Sequence, residues 1–145
     1  MTKNKTSKNE IAAVKIIERK FYSALNVLFT GDAEPIKKIW SHADDITYMG
    51  PMGGFQKGWK EISGLWDEQA RLKLGGKVTP KHLKMTVDRD IAIAQNYEIG
   101  KNIGKNGRPL KVSIRSTNTY RKESGQWKMI GHHTDLLPHL YKNTA

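Results

Sequence analysis

The dipeptide Asn106-Gly107, set between two runs of alternating apolar residues, constrains this chain more than any other pair. Asn-Gly is the strongest short hairpin signal, because the tight turn of that type needs positive φ at both central residues. Read as a two-residue turn, it sets Ile99 opposite Ile114 and Ile103 opposite Leu110 on one side of a sheet. On the other side Glu98 meets Arg115, Asn96 meets Thr117 and Ala94 meets Thr119. That register pairs acid with base and apolar with apolar, as sheets favour. One face, carrying Ile99, Ile103, Leu110, Val112 and Ile114, is expected to be apolar. The other carries Glu98, Arg115, Asn96 and Thr117, and it either meets water or lines a pocket. In an enclosed site Arg115 would anchor a carboxylate or another anion.

The hairpin belongs to a longer series. Residues 78–88, 91–103, 110–122 and 127–135 read as four strands, with turns at Arg89-Asp90, Asn106-Gly107 and Ser124-Gly125. Helices precede them. Ser7 and Glu10 have the spacing of a capping box. Ile11, Val14, Ile17, Phe21, Leu25 and Leu28 then form one helical stripe, which Gly31 stops. Asp32 caps a short second helix with Pro35 in its first turn. Residues 45–49 read as a strand ended by Gly50-Pro51, and the glycine-rich run that follows as a loop with a stub of strand at Phe55. A third helix is expected from Lys60 to Leu74, with Ile62, Leu65, Trp66, Gln69 and Leu72 inward and Gly75-Gly76 as its stop. Helices first and an antiparallel meander last give an α+β fold, with three N-terminal helices packed on one face of a curved sheet. We expect a disordered basic tail over 1–9 and a single domain over 10–140.

Composition narrows the function. The 145 residues include no cysteine, which excludes disulfides, cysteine–zinc sites and thiol catalysis. No apolar run approaches the length of a membrane span, and the first ten residues lack a signal-peptide core. A cytoplasmic protein without a membrane role is expected. The formal net charge of +11 favours anionic partners, but the lysines are spread along the chain rather than gathered in a block, so nucleic acid is not the expected partner.

The last strand contains MIGHHTD, with His132, His133 and Asp135. Successive strand side chains point to opposite faces, so the two histidines cannot share one cavity, and no metal site is expected. Which one faces inward depends on the Ser124-Gly125 turn. A two-residue turn sets His132 beside Thr117; a three-residue loop with a glycine bulge sets His133 beside Arg115. The bulged loop is the expectation, and it would align Glu98, Arg115 and His133 across three strands. Of the aromatic residues Trp40, Tyr48, Trp59, Trp66 and Tyr97, two are expected to touch a ligand; most are core by default.

The order of elements, and the segment from Gly107 to Asp135, resemble the nuclear transport factor 2-like superfamily. That group includes ketosteroid isomerases, SnoaL-like polyketide cyclases and the association domain of calcium/calmodulin-dependent kinase II. Gly107-Arg108-Pro109, Thr117, Tyr120, Gly125-Gln126-Trp127 and His133 resemble the association-domain type most, whereas Gly131 and Asp135 depart from its tail. The resemblance implies a cone, in which a strongly bent, mainly antiparallel sheet wraps the helices around a deep cavity. It also implies a homodimer or larger assembly through the outer sheet face. The isomerase residues are not all present: Gly50 stands where the general-base aspartate would be, and Thr117 where a protonated aspartate would be. Tyr22 lies about two positions from the isomerase tyrosine. Steroid isomerisation is therefore not expected.

The reading that follows is a domain binding a small, anionic organic molecule in a cone cavity, with no cofactor. Arg115, Glu98, Thr117, His133, Asn96, Tyr48, Trp59 and Trp66 are the candidate ligand contacts, and Glu98 and His133 the candidate acid–base groups. A non-catalytic oligomerisation module and a basic nucleic-acid binder are the alternatives.

Overall fold

A computed structural model describes residues 7–137. Lys3 and Lys5 of the expected tail, His139, and the last residues of the expected domain lie outside them. Helix α1 (Lys8–Leu28) starts inside the expected tail, and Ser7 caps it by accepting the Glu10 N–H at 3.2 Å. The Glu10 carboxylate does not return to Ser7. It holds Lys122 and the Trp127 indole instead, tying the helix start to the far end of the sheet. Helix α2 (Glu34–Ile39) follows, with the Asp32 side chain accepting from the Glu34 N–H. Strands β1 (Thr47–Gly50) and β2 (Gly53–Lys57) form a small hairpin where only a stub was expected, and helix α3 (Gly58–Arg71) follows at once.

Strands β3 (Lys77–Val87), β4 (Ile91–Ile103), β5 (Pro109–Glu123) and β6 (Gln126–Asp135) form the meander. The six strands make one sheet in the order β2-β1-β6-β5-β4-β3. All neighbours are antiparallel except β1 and β6, which run parallel. Three interruptions break the register, the first between Tyr48 and Gly50 in the β1–β2 hairpin. In β3 the register shifts between Lys81 and Lys84, with His82 at φ 57. In β6 an extra residue is accommodated opposite the Thr119–Tyr120 step. Such bulges sharpen local twist, and they let a long sheet wrap the helices.

The core lies between the helices and the concave face. Phe21, Leu28, Ile36, Trp40, Ile62 and Trp66 pack there against Tyr120 and Met129. The α1 stripe is rotated slightly from expectation. Its buried set runs Val14, Glu18, Phe21, Tyr22, Ala24, Leu25 and Leu28, while Ile11 is exposed and Ile17 only half-buried.

Both hairpin registers differ from the sequence expectation. The loop after β4 is not the two-residue turn. The Gly107 N–H bonds to the Gly104 carbonyl, the Gly104 N–H bonds to the Arg108 carbonyl, and Gly107 has φ 76. This is a three-residue loop closed by a glycine bulge. Every pairing shifts by one: Glu98 meets Ile114, Asn96 meets Ser116 and Tyr97 meets Arg115. A one-residue slip carries each side chain of the second strand to the opposite face. Ile114 therefore turns inward, and Arg115 outward. The loop after β5 is the reverse case: Ser124 (φ 49) and Gly125 (φ 80) make a two-residue turn with Glu123 opposite Gln126. The bulge farther along β6 then sets His132 opposite Asn118, and His133 opposite Thr117.

Candidate functional site

The concave face and the helices enclose a cavity of about 970 Å³. Leu25, Leu28 and Phe29 reach it from the C-terminal end of α1 and the residue beyond, and Leu65, Trp66 and Gln69 from α3. Val112, Ile114 and Val78 line it from the sheet, with Tyr48, Glu98 and His132 as its polar wall. Lys101 and Lys111, opposite each other on β4 and β5, also border it.

The expected site residues divide by face. Glu98, Asn96, Tyr48 and Trp66 are buried on the inner side. Arg115, Thr117 and His133 lie outside, in a shallow groove with His82, Lys84 and Tyr97. The row of Glu98, Arg115 and His133 does not form, because the one-residue change in the loop after β4 turns Arg115 to the outer face, where His133 also lies, and leaves Glu98 inside. Trp59 stacks on His42 at 3.8 Å between ring centres and does not line the cavity. The outer apolar set also changes. It comprises Ile91, Ile93, Tyr97 and Ile103, while Val112 and Ile114 face the cavity.

Glu98 and His132 are both 5% exposed, and the Glu98 Oε2 lies 3.7 Å from the His132 Nε2. Burial pushes the Glu98 carboxyl up to about 7, with the nearby Glu18 carboxylate adding to the rise and the Tyr22 hydroxyl bond opposing it. Burial likewise depresses the His132 imidazole to about 3, helped by His133. The ordinary order of the two groups is inverted. Near neutral pH the site holds an acid close to its midpoint, and so in good part protonated, beside a neutral base.

Behind the wall lies a hydrogen-bonded set that excludes solvent. The Tyr22 hydroxyl donates to Glu98 Oε2 at 2.8 Å and accepts from the amides of Asn96 (2.9 Å) and Asn118 (3.2 Å). The Asn118 amide also donates to both oxygens of Glu18, at 3.1 and 3.2 Å. The Tyr120 hydroxyl donates to the same carboxylate. Glu18 is 1% exposed, and burial raises its carboxyl. His132 Nδ1 meets Asn118 Oδ1 at 2.5 Å, and its ring lies between Phe21 and a stacked Tyr48.

Three of these residues escape a reading of sequence alone, Glu18, Asn118 and Tyr120, and His132 stood there only as the alternative to His133. Glu18 left a signal, since a carboxylate on the buried stripe between Val14 and Phe21 needs a partner. Asn118, Tyr120 and His132 depended on the registers. At Gly50 the structure adds a steric fact. A Cβ there would lie 2.6 Å from the Tyr48 hydroxyl and 2.7 Å from its ring. The phenol fills the space that a side chain at this position would need. The Tyr48 hydroxyl itself has no hydrogen bond among the described residues.

The SnoaL-like domain family matches the chain over residues 17–136. The chain belongs to this family. Its fold is shared with a proposed dehydratase of the nuclear transport factor 2-like family from Streptomyces avermitilis, at 18% identity and a TM-score of 0.82, covering 92% of this chain and 99% of that one. A proposed calcium/calmodulin-dependent protein kinase type II association domain from Thiobacillus denitrificans superposes with a TM-score of 0.72 at 22% identity, covering 85% and 94%. A proposed ketosteroid isomerase from Shewanella frigidimarina gives 0.69 at 19% identity, covering 85% and 94%. A comparison with curated proteins gave no match. At these identities the solved structures establish the SnoaL-like chain's cone fold and not its chemistry.

Proposed function

We propose that this SnoaL-like domain binds a small organic molecule in the cone cavity and performs acid–base chemistry on it, with Glu98 as proton donor and His132 as acceptor. One observation carries the reading: the Glu98 carboxyl and the His132 imidazole, both buried and 3.7 Å apart, stand in the polar wall of an otherwise largely apolar cavity. A carboxyl held near 7 is matched to proton transfer near neutral pH, and an imidazole kept unprotonated beside it can accept a proton, as a weak base. His132 Nε2 removes a proton from a carbon next to a carbonyl. Glu98 delivers its proton to a departing hydroxyl, which leaves as water as the carbon–carbon double bond forms. A solvent proton exchange between imidazolium and carboxylate resets the pair. Without a leaving group the same two transfers isomerise the substrate. The Tyr48 hydroxyl donates to the substrate oxygen on which charge develops. Lys101 and Lys111 at the border suit a ligand with an apolar body and one anionic end.

The test needs no known substrate. Carbonyl acids of the cavity's size are ranked by thermal shift, and those that bind are incubated with the protein in heavy water. Deuterium at the carbon beside the carbonyl, lost in Glu98→Gln and in His132→Ala, is the expected result. Binding without exchange in the parent protein would refute the catalytic part, and no binding across the panel would refute the ligand class.

A second reading concerns assembly. Ile91, Ile93, Tyr97 and Ile103 form an exposed apolar outer face, and proposed association domains from two bacteria share the fold. We propose that this face joins two copies of the chain.

A further inference from the structure

We infer that Glu18, which does not touch the cavity, is a positioning residue: through Asn118 it fixes the tautomer of His132 so that a bare Nε2 faces the cavity. The inference rests on the acid–base reading above and gives it a specific cause. It follows from which atoms can donate. The Glu18 carboxylate receives the Tyr120 hydroxyl and the Asn118 amide nitrogen, the latter within 3.1–3.2 Å of both oxygens. With Glu18 ionised, the form its two donors Tyr120 and Asn118 favour, turning the Asn118 amide over would set its oxygen against those oxygens, acceptor against acceptor, in a site closed to water. Buried mismatches of that kind are strongly disfavoured. The amide nitrogen is therefore held toward Glu18, and Oδ1 is left to accept from the Ser116 hydroxyl at 2.8 Å and from the ring nitrogen of His132 at 2.5 Å.

His132 then has one arrangement. A neutral imidazole carries a single N–H. Asn118 Oδ1 can only accept, so the proton sits on Nδ1. Nε2 is left with its lone pair, and it points toward Glu98. The other tautomer would place an N–H toward the cavity, where it could donate but not remove a proton. Glu18 thus lies two hydrogen bonds from His132 and still determines which end of the ring is basic. The same logic accounts for a carboxylate on the buried stripe of α1, where an apolar residue would pack at lower cost. A glutamine there would satisfy Tyr120 and yet be able to donate to Asn118 Oδ1, so it would no longer oppose the flip.

The experiment is nitrogen-15 NMR of the His132 ring near neutral pH, without ligand. The parent protein should show Nε2 at the unprotonated position and Nδ1 at the protonated one. In Glu18→Gln the Nε2 signal should shift toward the protonated position. Ser116→Ala, which removes a donor without freeing the flip, should leave it unmoved. If Glu18→Gln fails to fold, Asn118→Leu, which removes the acceptor, should shift Nε2 in the same direction. A proton on Nε2 in the parent would overturn the inference, as would an unmoved signal in Glu18→Gln, or in Asn118→Leu should Glu18→Gln not fold. Neither result needs a ligand, so failure here is distinct from failure of the exchange test.

Discussion

Glu98 is where the account is most exposed at the scale of one residue. Its carboxyl is raised to about 7 in the fold from an ordinary 4.5, so between those pH values the folded chain holds a proton that the unfolded chain has lost. Stability contributed by that proton falls as pH rises through the window. His132 acts oppositely: lowered to about 3 from 6.5, it makes stability rise over its own window. Replacing Glu98 by glutamine removes only the first effect. In urea denaturation the stability of Glu98→Gln relative to the parent should therefore improve by about 3 kcal/mol between pH 4.5 and 7, then level off. A pH-independent difference would mean that Glu98 ionises freely. Glu98 was legible in the sequence because an acid in an alternating strand stands out. His132 was not, because its neighbour His133 has the same chemistry and only register separates them.

At the scale of the element, the strands and helices were legible and the loops were not. Periods of two and of three to four recur over ten or more residues, so a local ambiguity is outvoted. A hairpin loop has no such redundancy. Asn106-Gly107 and Ser124-Gly125 each fit two loop types that differ by one residue, and that residue decides the face of every side chain beyond it. The structure gives positive φ to Gly107 and not to Asn106. Gly107→Ala should thus cost about 1–2 kcal/mol in thermal or chemical unfolding. Asn106→Ala should lose only the bond that its Oδ1 accepts from the Arg108 N–H, 3.1 Å long and exposed, and so cost less. Equal costs at the two positions would point back to the tight two-residue turn. The bulge in β6 had no sequence signal that we can identify.

For the whole molecule, the sheet has two jobs. Its concave face carries the buried Glu98 and His132, against the buried Glu18 of α1, in a chain whose net charge is +11, so the site is electrically distinct from the surface around it. Its convex face carries Ile91, Ile93 and Tyr97 in the open. If that face joins two copies, sedimentation should give a dimer or larger species, and Ile93→Lys should shift it toward monomer without changing the Glu98–His132 pair. A parent protein that sediments as a monomer at all concentrations would remove the assembly reading. The helices on a curved sheet were legible from the order of elements and the cone from the family resemblance, and the outer apolar face was expected but with partly different residues, for the register reason given above.

The claim on which the rest depends is that a neutral acid and a neutral base coexist in the cavity wall. Carbon-13 NMR of the Glu98 carboxyl and nitrogen-15 NMR of the His132 ring, followed through a pH titration, measure both directly. The account predicts a Glu98 midpoint near 7 and a His132 ring that stays neutral down to pH 5. A Glu98 midpoint in the ordinary carboxylate range, or a His132 that is protonated at pH 6, would contradict it.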